Sequence, residues 1–144
     1  MQPLVVLVVV TGVTRLIGQL ADIAWLDSWA HAAQLGLAAM FLLTATAHFL
    51  EPRRSGLIAM VPPRFPNPAA WVTLTGVLEV AGAIGLLVPL APELAAACLL
   101  ALLVIMFPAN VRAYRVGGIK TMPLPVRAVV QVVFIGACVL VIAG

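Results

Sequence analysis

Five runs of about twenty apolar residues, separated by short polar connections, leave this chain few folds. The runs are Leu4 to Leu20, Trp29 to Leu50, Ala70 to Leu90, Leu94 to about Val111, and about Leu124 to Ala143. At about 1.5 Å per residue, a helix of that length crosses a hydrocarbon core of about 30 Å. In lipid, every backbone N–H and C=O must be bonded inside the segment, so a spanning run of this kind becomes a helix. The chain is 64% hydrophobic and only 9% charged, where a soluble domain carries about a quarter charged residues. In water such a composition would expose too much apolar surface. The expected fold is therefore all-α, a polytopic transmembrane helix bundle of five spans. Those spans use most of the 144 residues and leave no room for a soluble domain.

The connections carry the punctuation. Met1-Gln2-Pro3 has no basic residue ahead of the first apolar run. A secretory signal would need one, so the first run reads as a retained span. Glu51-Pro52 stops the second run, because the residue before proline is pushed out of the helical region. Gly56 to Val61 is apolar but too short to span, and reads as a half-turn or helical turn at the interface. Pro62, Pro63, Pro66 and Pro68 then make a stiff extended connection. Gly76, Gly82 and Gly85 in the third run let neighbouring backbones approach closely. Pro108 should kink or loosen the end of the fourth run. Residues 112–127 read as a second basic loop, with Gly117-Gly118 as its flexible point.

Lysine and arginine give the orientation. With five spans, one side carries the N-terminus and the two long loops, with Arg53, Arg54 and Arg64, then Arg112, Arg115, Lys120 and Arg127; these sum to 3 + 4 = 7. The other side carries none. Seven against zero predicts a cytoplasmic N-terminus and an external C-terminus, in the cell inner membrane. The net charge of +3 follows membrane topology, with no basic face for nucleic acid.

Function would sit on polar groups inside the membrane. An unpaired charge there costs at least about 2.5–3.5 kcal/mol, so such groups face the bundle interior and find partners. Counted from the cytoplasmic ends, Glu79 lies about 14 Å deep, Arg15 about 16 Å and Gln131 about 11 Å. Matched depth and opposite charge predict an Arg15–Glu79 ion pair holding the first run to the third. The alternative is a ligand or proton site at Glu79. His48 and Asn110 form a second layer near the cytoplasmic surface. His48, with Thr44 nearby, is either a proton-active group, since imidazole titrates near neutrality, or an anchor bonding a loop carbonyl. Asn110 reads as a cap for backbone groups freed by Pro108, and Arg112 and Arg115 as surface charges.

Other chemistry has no carrier. There is no HxxxH pair, no GxSxG, no phosphate-cradling glycine loop and no dinucleotide fingerprint. No metal site and no catalytic residue are readable. Cys98 and Cys138 have no metal spacing. They fall at similar depths near the external face, but a disulfide needs Cα atoms within about 4.4–6.8 Å, and free thiols are expected.

Four motifs in order then become informative: AHFLEP at 47–52, MVPPRFPNP at 60–68, TGVLEVAGAIGLLVP at 75–89 and FPANVRAY at 107–114. Together they resemble the DoxX family of small bacterial membrane proteins. The resemblance runs from about Trp29 to the C-terminus. It implies a four-helix core over residues 29–144, with residues 1–28 as an additional N-terminal helix and a short external loop. That added helix is a departure from the family, so Arg15 inherits no role. The family takes its name from a subunit of a thiosulfate:quinone oxidoreductase, which implies quinone-linked redox work carried by His48, Glu79 and Asn110, with quinone as the implied cofactor. No cofactor is evident from the residues themselves.

Three functions follow. The leading one is an integral membrane subunit or accessory of a quinone-linked redox system, not catalytic on its own, whose partners are the lipid bilayer and a membrane redox protein. The second is a small carrier or binder of a lipophilic ligand around Glu79. The third is a membrane enzyme with a His48/Glu79 proton relay.

Overall fold

A computed structural model describes residues 1–116 and 122–144. Two sequence expectations, the flexible point at Gly117-Gly118 and the loop charge of Lys120, lie outside the described residues. The described residues form six helices: α1 (Gln2–Leu20), α2 (Trp29–Phe49), α3 (Arg53–Met60), α4 (Pro68–Leu87), α5 (Pro92–Val116) and α6 (Leu124–Ala143). All but α3 are long and apolar enough to cross a membrane. The protein is a multi-pass membrane helix bundle.

Helix α2 is its axis. Some 56% of its spanning window is buried, against 17–28% for the other four. It packs on α1, α4 and α6, while α5 closes the ring between α4 and α6. Its small residues explain that position. Ala32, Ala33, Gly36, Ala38 and Ala45 are all buried, and small side chains let neighbouring backbones close in where no hydrophobic drive separates helix from lipid. At Gly36 a Cβ would meet the Leu7 carbonyl of α1 at 2.9 Å. Larger side chains then fill the centre: Leu37, Met40 and Phe41 of α2 meet Leu86, Leu99, Phe134 and Cys138 from α4, α5 and α6. The rims face outward with exposed Val, Leu and Ile, as a lipid-solvated surface requires.

Sequence chemistry sets the helix ends. Ser28 caps α2 by accepting from the His31 N–H at 3.5 Å. Pro68 opens α4 and Pro92 opens α5, where the missing N–H costs nothing. Two expectations change. The apolar stretch after Pro52 begins its helix earlier, at Arg53, because Arg53 to Met60 packs on α2, α4 and α5. The fourth span does not end near Val111: α5 continues through Pro108 to Val116. Pro108 removes the donor to Val104, and the neighbouring carbonyl of Leu103 takes a 2.8 Å hydrogen bond from Gln131 of α6. Support from the adjacent helix lets the chain stay helical, so Arg112 and Arg115 stand on a helix.

Arg112 is also more than a surface charge. Its guanidinium donates to the carbonyls of Ala59, Met60 and Val61 at 3.0, 3.3 and 3.1 Å. These are the orphan carbonyls at the end of α3, and a cation is favoured there. Arg53 reaches Gln2 of α1 at 3.0 Å. The first basic loop is thereby tied to two spans, α1 and α5, at one end of the bundle.

Candidate functional site

The polar centre of the bundle lies between α2 and α4. Thr44 and His48 are one turn apart on α2, and Thr75 and Glu79 one turn apart on α4, so each pair occupies one helix face. The two faces meet. His48 Nε2 lies 3.3 Å from Glu79 Oε1, and both side chains are buried, at 4% and 7% exposure. Thr44 Oγ1 donates to Glu79 Oε2 at 2.8 Å. On the far side of the imidazole, Nδ1 is 2.9 Å from the Val72 carbonyl and 3.1 Å from Thr75 Oγ1.

Gly76 makes this approach possible. A Cβ there would sit 2.5 Å from His48 Cβ and 2.9 Å from the Phe49 ring. Any other residue would push α2 and α4 apart at the level of the imidazole.

Hydrogen-bond chemistry defines the proton inventory. A carbonyl only accepts, so the contact with Val72 puts a proton on His48 Nδ1. In neutral imidazole, Nε2 is then a bare acceptor. A carboxylate oxygen is also a bare acceptor, and two lone pairs at 3.3 Å in a buried site would repel. The contact is favourable only with one proton between them. That proton gives either an imidazolium–carboxylate or an imidazole–carboxylic acid pair. The geometry therefore places a single proton between two spanning helices, with each Glu79 oxygen and each His48 nitrogen in contact with a polar partner.

The other candidates lie elsewhere. The expected Arg15–Glu79 pair does not form. Arg15 instead pairs with Asp27 in the α1–α2 connection and lies 4.7 Å over the Trp29 ring. It is five residues from the end of α1, about 7.5 Å of rise, so a long arginine side chain reaches the connection. Helix α1 packs on α2 and shares no extensive interface with α4. Gln131 supports α5 next to Pro108, as described above. Asn110 is half-buried on α5 and is not brought to the pair. Among the described residues, no His, Cys, Asp and Glu group could hold a metal ion. Both cysteines are free, Cys98 exposed and Cys138 buried.

Three contributors escape a sequence reading. Thr75 is signalled only by standing four residues before Glu79. Gln34 is 6% exposed and donates to the Leu86 carbonyl; a glutamine inside an apolar run was the available sign. Arg54 looks like a topological charge, yet it donates to the His48 carbonyl and to Thr73 at 3.1 Å, bracing the end of α2 against α4.

A quinone ring would need free donors for its carbonyl oxygens and room to stack. Both nitrogens of His48 and both oxygens of Glu79 are engaged by the protein. An apolar groove of about 680 Å³ between α4 and α5 is lined by Leu78, Gly82, Cys98 and Leu102 among others and includes neither residue. The pair does not fit a quinone seat.

Residues 37–142 match the profile of a protein family described as a domain of unknown function, DUF8561. The match runs from within α2 to within α6 and leaves α1 outside. No curated protein and no solved structure matches the chain. The chain belongs to the DUF8561 family.

Proposed function

We propose that this DUF8561 protein is a multi-pass protein of the cell inner membrane, with its N-terminus in the cytoplasm, that serves as a non-catalytic subunit or accessory of a quinone-linked redox system. The observation carrying the reading is the closed His48–Glu79 pair. Its polar atoms are bonded within the bundle, and both side chains are buried. A group so enclosed fastens α2 to α4, holding the bundle in one arrangement for a partner. The redox assignment rests on the resemblance to the DoxX family, and the quinone then belongs to the partner protein. A lipophilic ligand held at Glu79 is disfavoured by the same closure.

The direct contact favours one second reading, a proton relay, since a stored proton needs no water path between the two groups. One experiment separates the two. The protein is purified from native membranes by a mild tag-based pull-down, and co-purifying proteins are identified by mass spectrometry, for the native chain and for Glu79→Gln. A subunit role predicts a membrane oxidoreductase in the native sample and undiminished activity of the assembled complex with Glu79→Gln. A relay predicts an assembled but inactive complex. Absence of any redox protein from the native sample would overturn the accessory reading.

A further inference from the structure

We propose that the cleft beside the N-terminus of α4 is a binding site for the phosphate headgroup of an anionic phospholipid, with Arg54 as its principal ligand. The cleft measures about 540 Å³, within the range of small-molecule sites. Arg54, Asn67, Ala70 and Thr73 line one part, and Leu74 and Val77 the other. Polar lining at the helix start gives way to apolar lining further along α4. A phospholipid has that same gradient.

Charge is the first argument. The Arg54 guanidinium contacts only uncharged acceptors: the His48 carbonyl, the Ala69 carbonyl at 3.4 Å and Thr73 Oγ1 at 3.1 Å. The ion pairs among the described residues are Arg15–Asp27 and His48–Glu79, so no carboxylate lies within 4 Å of Arg54. The nearest acidic residue in sequence, Glu51, is turned to Ser55, whose hydroxyl and amide it accepts at 2.6 and 3.2 Å. Of five guanidinium N–H groups, three are used by these bonds, leaving Nε–H and one Nη1–H. A half-buried cation without an anion, with donors to spare, is a receptor for phosphate oxygens.

The helix end is the second argument. Asn67 takes up a left-handed conformation (φ 52°) and its side chain does not cap α4, and the first turn carries no acidic residue. The first N–H groups of a helix lack intrahelical partners and carry partial positive charge. Pro68 has no N–H and the Ala70 N–H already bonds the Asn67 carbonyl at 3.0 Å, so what this end adds to the cleft lined by Asn67 and Arg54 is the partial positive charge of an uncapped helix start.

Depth is the third. Trp71 is exposed, donates its indole N–H to the Pro66 carbonyl at 3.1 Å and packs edge-on against Phe65. An amphipathic aromatic at a helix start marks the headgroup level. Leu74 and Val77 are 46% and 51% exposed and continue from there along the span, so an acyl chain attached to a phosphate at Arg54 would lie against them. Lipid supplies both halves of such a ligand, and free phosphate only one.

Native mass spectrometry of the purified full chain tests this. Phosphatidylglycerol and phosphatidylcholine are titrated at equal concentrations, with and without excess inorganic phosphate. One phosphatidylglycerol should be retained about fivefold more strongly than phosphatidylcholine, the difference expected of one basic residue at an anionic surface. Arg54→Gln should abolish the preference, and Arg115→Gln, with the same charge change on an exposed side chain, should preserve it. Ala70→Trp fills the cleft without touching the bonds of Arg54. It should also abolish retention, and it decides the matter if thermal melts show Arg54→Gln unfolded. Equal retention of the two lipids, equal losses in Arg54→Gln and Arg115→Gln, or full retention in Ala70→Trp would overturn the site. Complete displacement by inorganic phosphate would overturn the lipid as its ligand.

Discussion

At the scale of single residues, the proton between His48 and Glu79 has a direct consequence. Glutamine at position 79 is nearly isosteric with a protonated glutamate. Its amide N–H can donate to His48 Nε2 and its carbonyl can accept from Thr44, so no buried group is stranded. Glu79→Gln should therefore change stability by less than about 1 kcal/mol, whereas Glu79→Ala, which strands the buried Nε2 and leaves the Thr44 hydroxyl only the Phe41 carbonyl, should cost about 1–3 kcal/mol. Denaturant titration in detergent measures both, and equal losses would show that no proton is shared. Arg15→Gln and Glu79→Gln, by contrast, have no common partner. Their effects on the same titration should add to within about 0.5 kcal/mol.

At the scale of helices, close approach is the property most easily broken. Gly76→Ala would place its methyl group 2.5 Å from His48 Cβ, in a position where neither helix backbone can yield cheaply. Overpacking of this kind costs about 1–3 kcal/mol. Gly12 of α1 has nothing within 4 Å of the equivalent point, and Gly12→Ala should be neutral or stabilising by up to about 1 kcal/mol, the helix-propensity gain. Melting temperatures of the two variants in one detergent give the comparison. The spans themselves were legible because apolar length alone dictates a membrane helix. His48 and Glu79 stood out because polar groups are rare inside such runs. Their pairing was not legible: depth along a helix says which groups lie at one level, but not which helices are neighbours. Matched depth joined Glu79 to Arg15, while packing of α4 on α2 joins it to His48. Side-chain reach was hidden as well, since an arginine spans several ångströms and Arg15 exploits that to leave the bundle interior. Arg54 and Arg112 were read as loop charges because a count of basic residues carries no information about the carbonyls they meet.

At the scale of the whole molecule, the charges divide by end. Arg53, Arg54, Arg64, Arg112, Arg115 and Arg127 stand at the end that holds α3, against the single carboxylate of Glu51 there, and Asp22, Asp27 and Glu93 stand at the opposite end. The hydrogen bonds of Arg53 to Gln2 and of Arg112 to α3 confirm that the N-terminus and both basic segments share that end. Arg15 does not blur the division, since Asp27 neutralises it. Translocating the basic end would carry six arginines across the membrane against the potential, each charge worth about 2.3 kcal/mol per 100 mV, whereas the opposite end carries an acidic excess. The basic end is therefore expected in the cytoplasm. Single cysteines report this in a background with Cys98 and Cys138 replaced. Ser55 is exposed at the basic end and Ala24 is exposed in the α1–α2 connection; Ser28 is unsuitable because it caps α2. In intact cells an impermeant maleimide should label Ala24→Cys and spare Ser55→Cys, which should react only after permeabilisation. The opposite pattern would invert the molecule in the membrane, and with it place the Arg54 cleft on the outer leaflet.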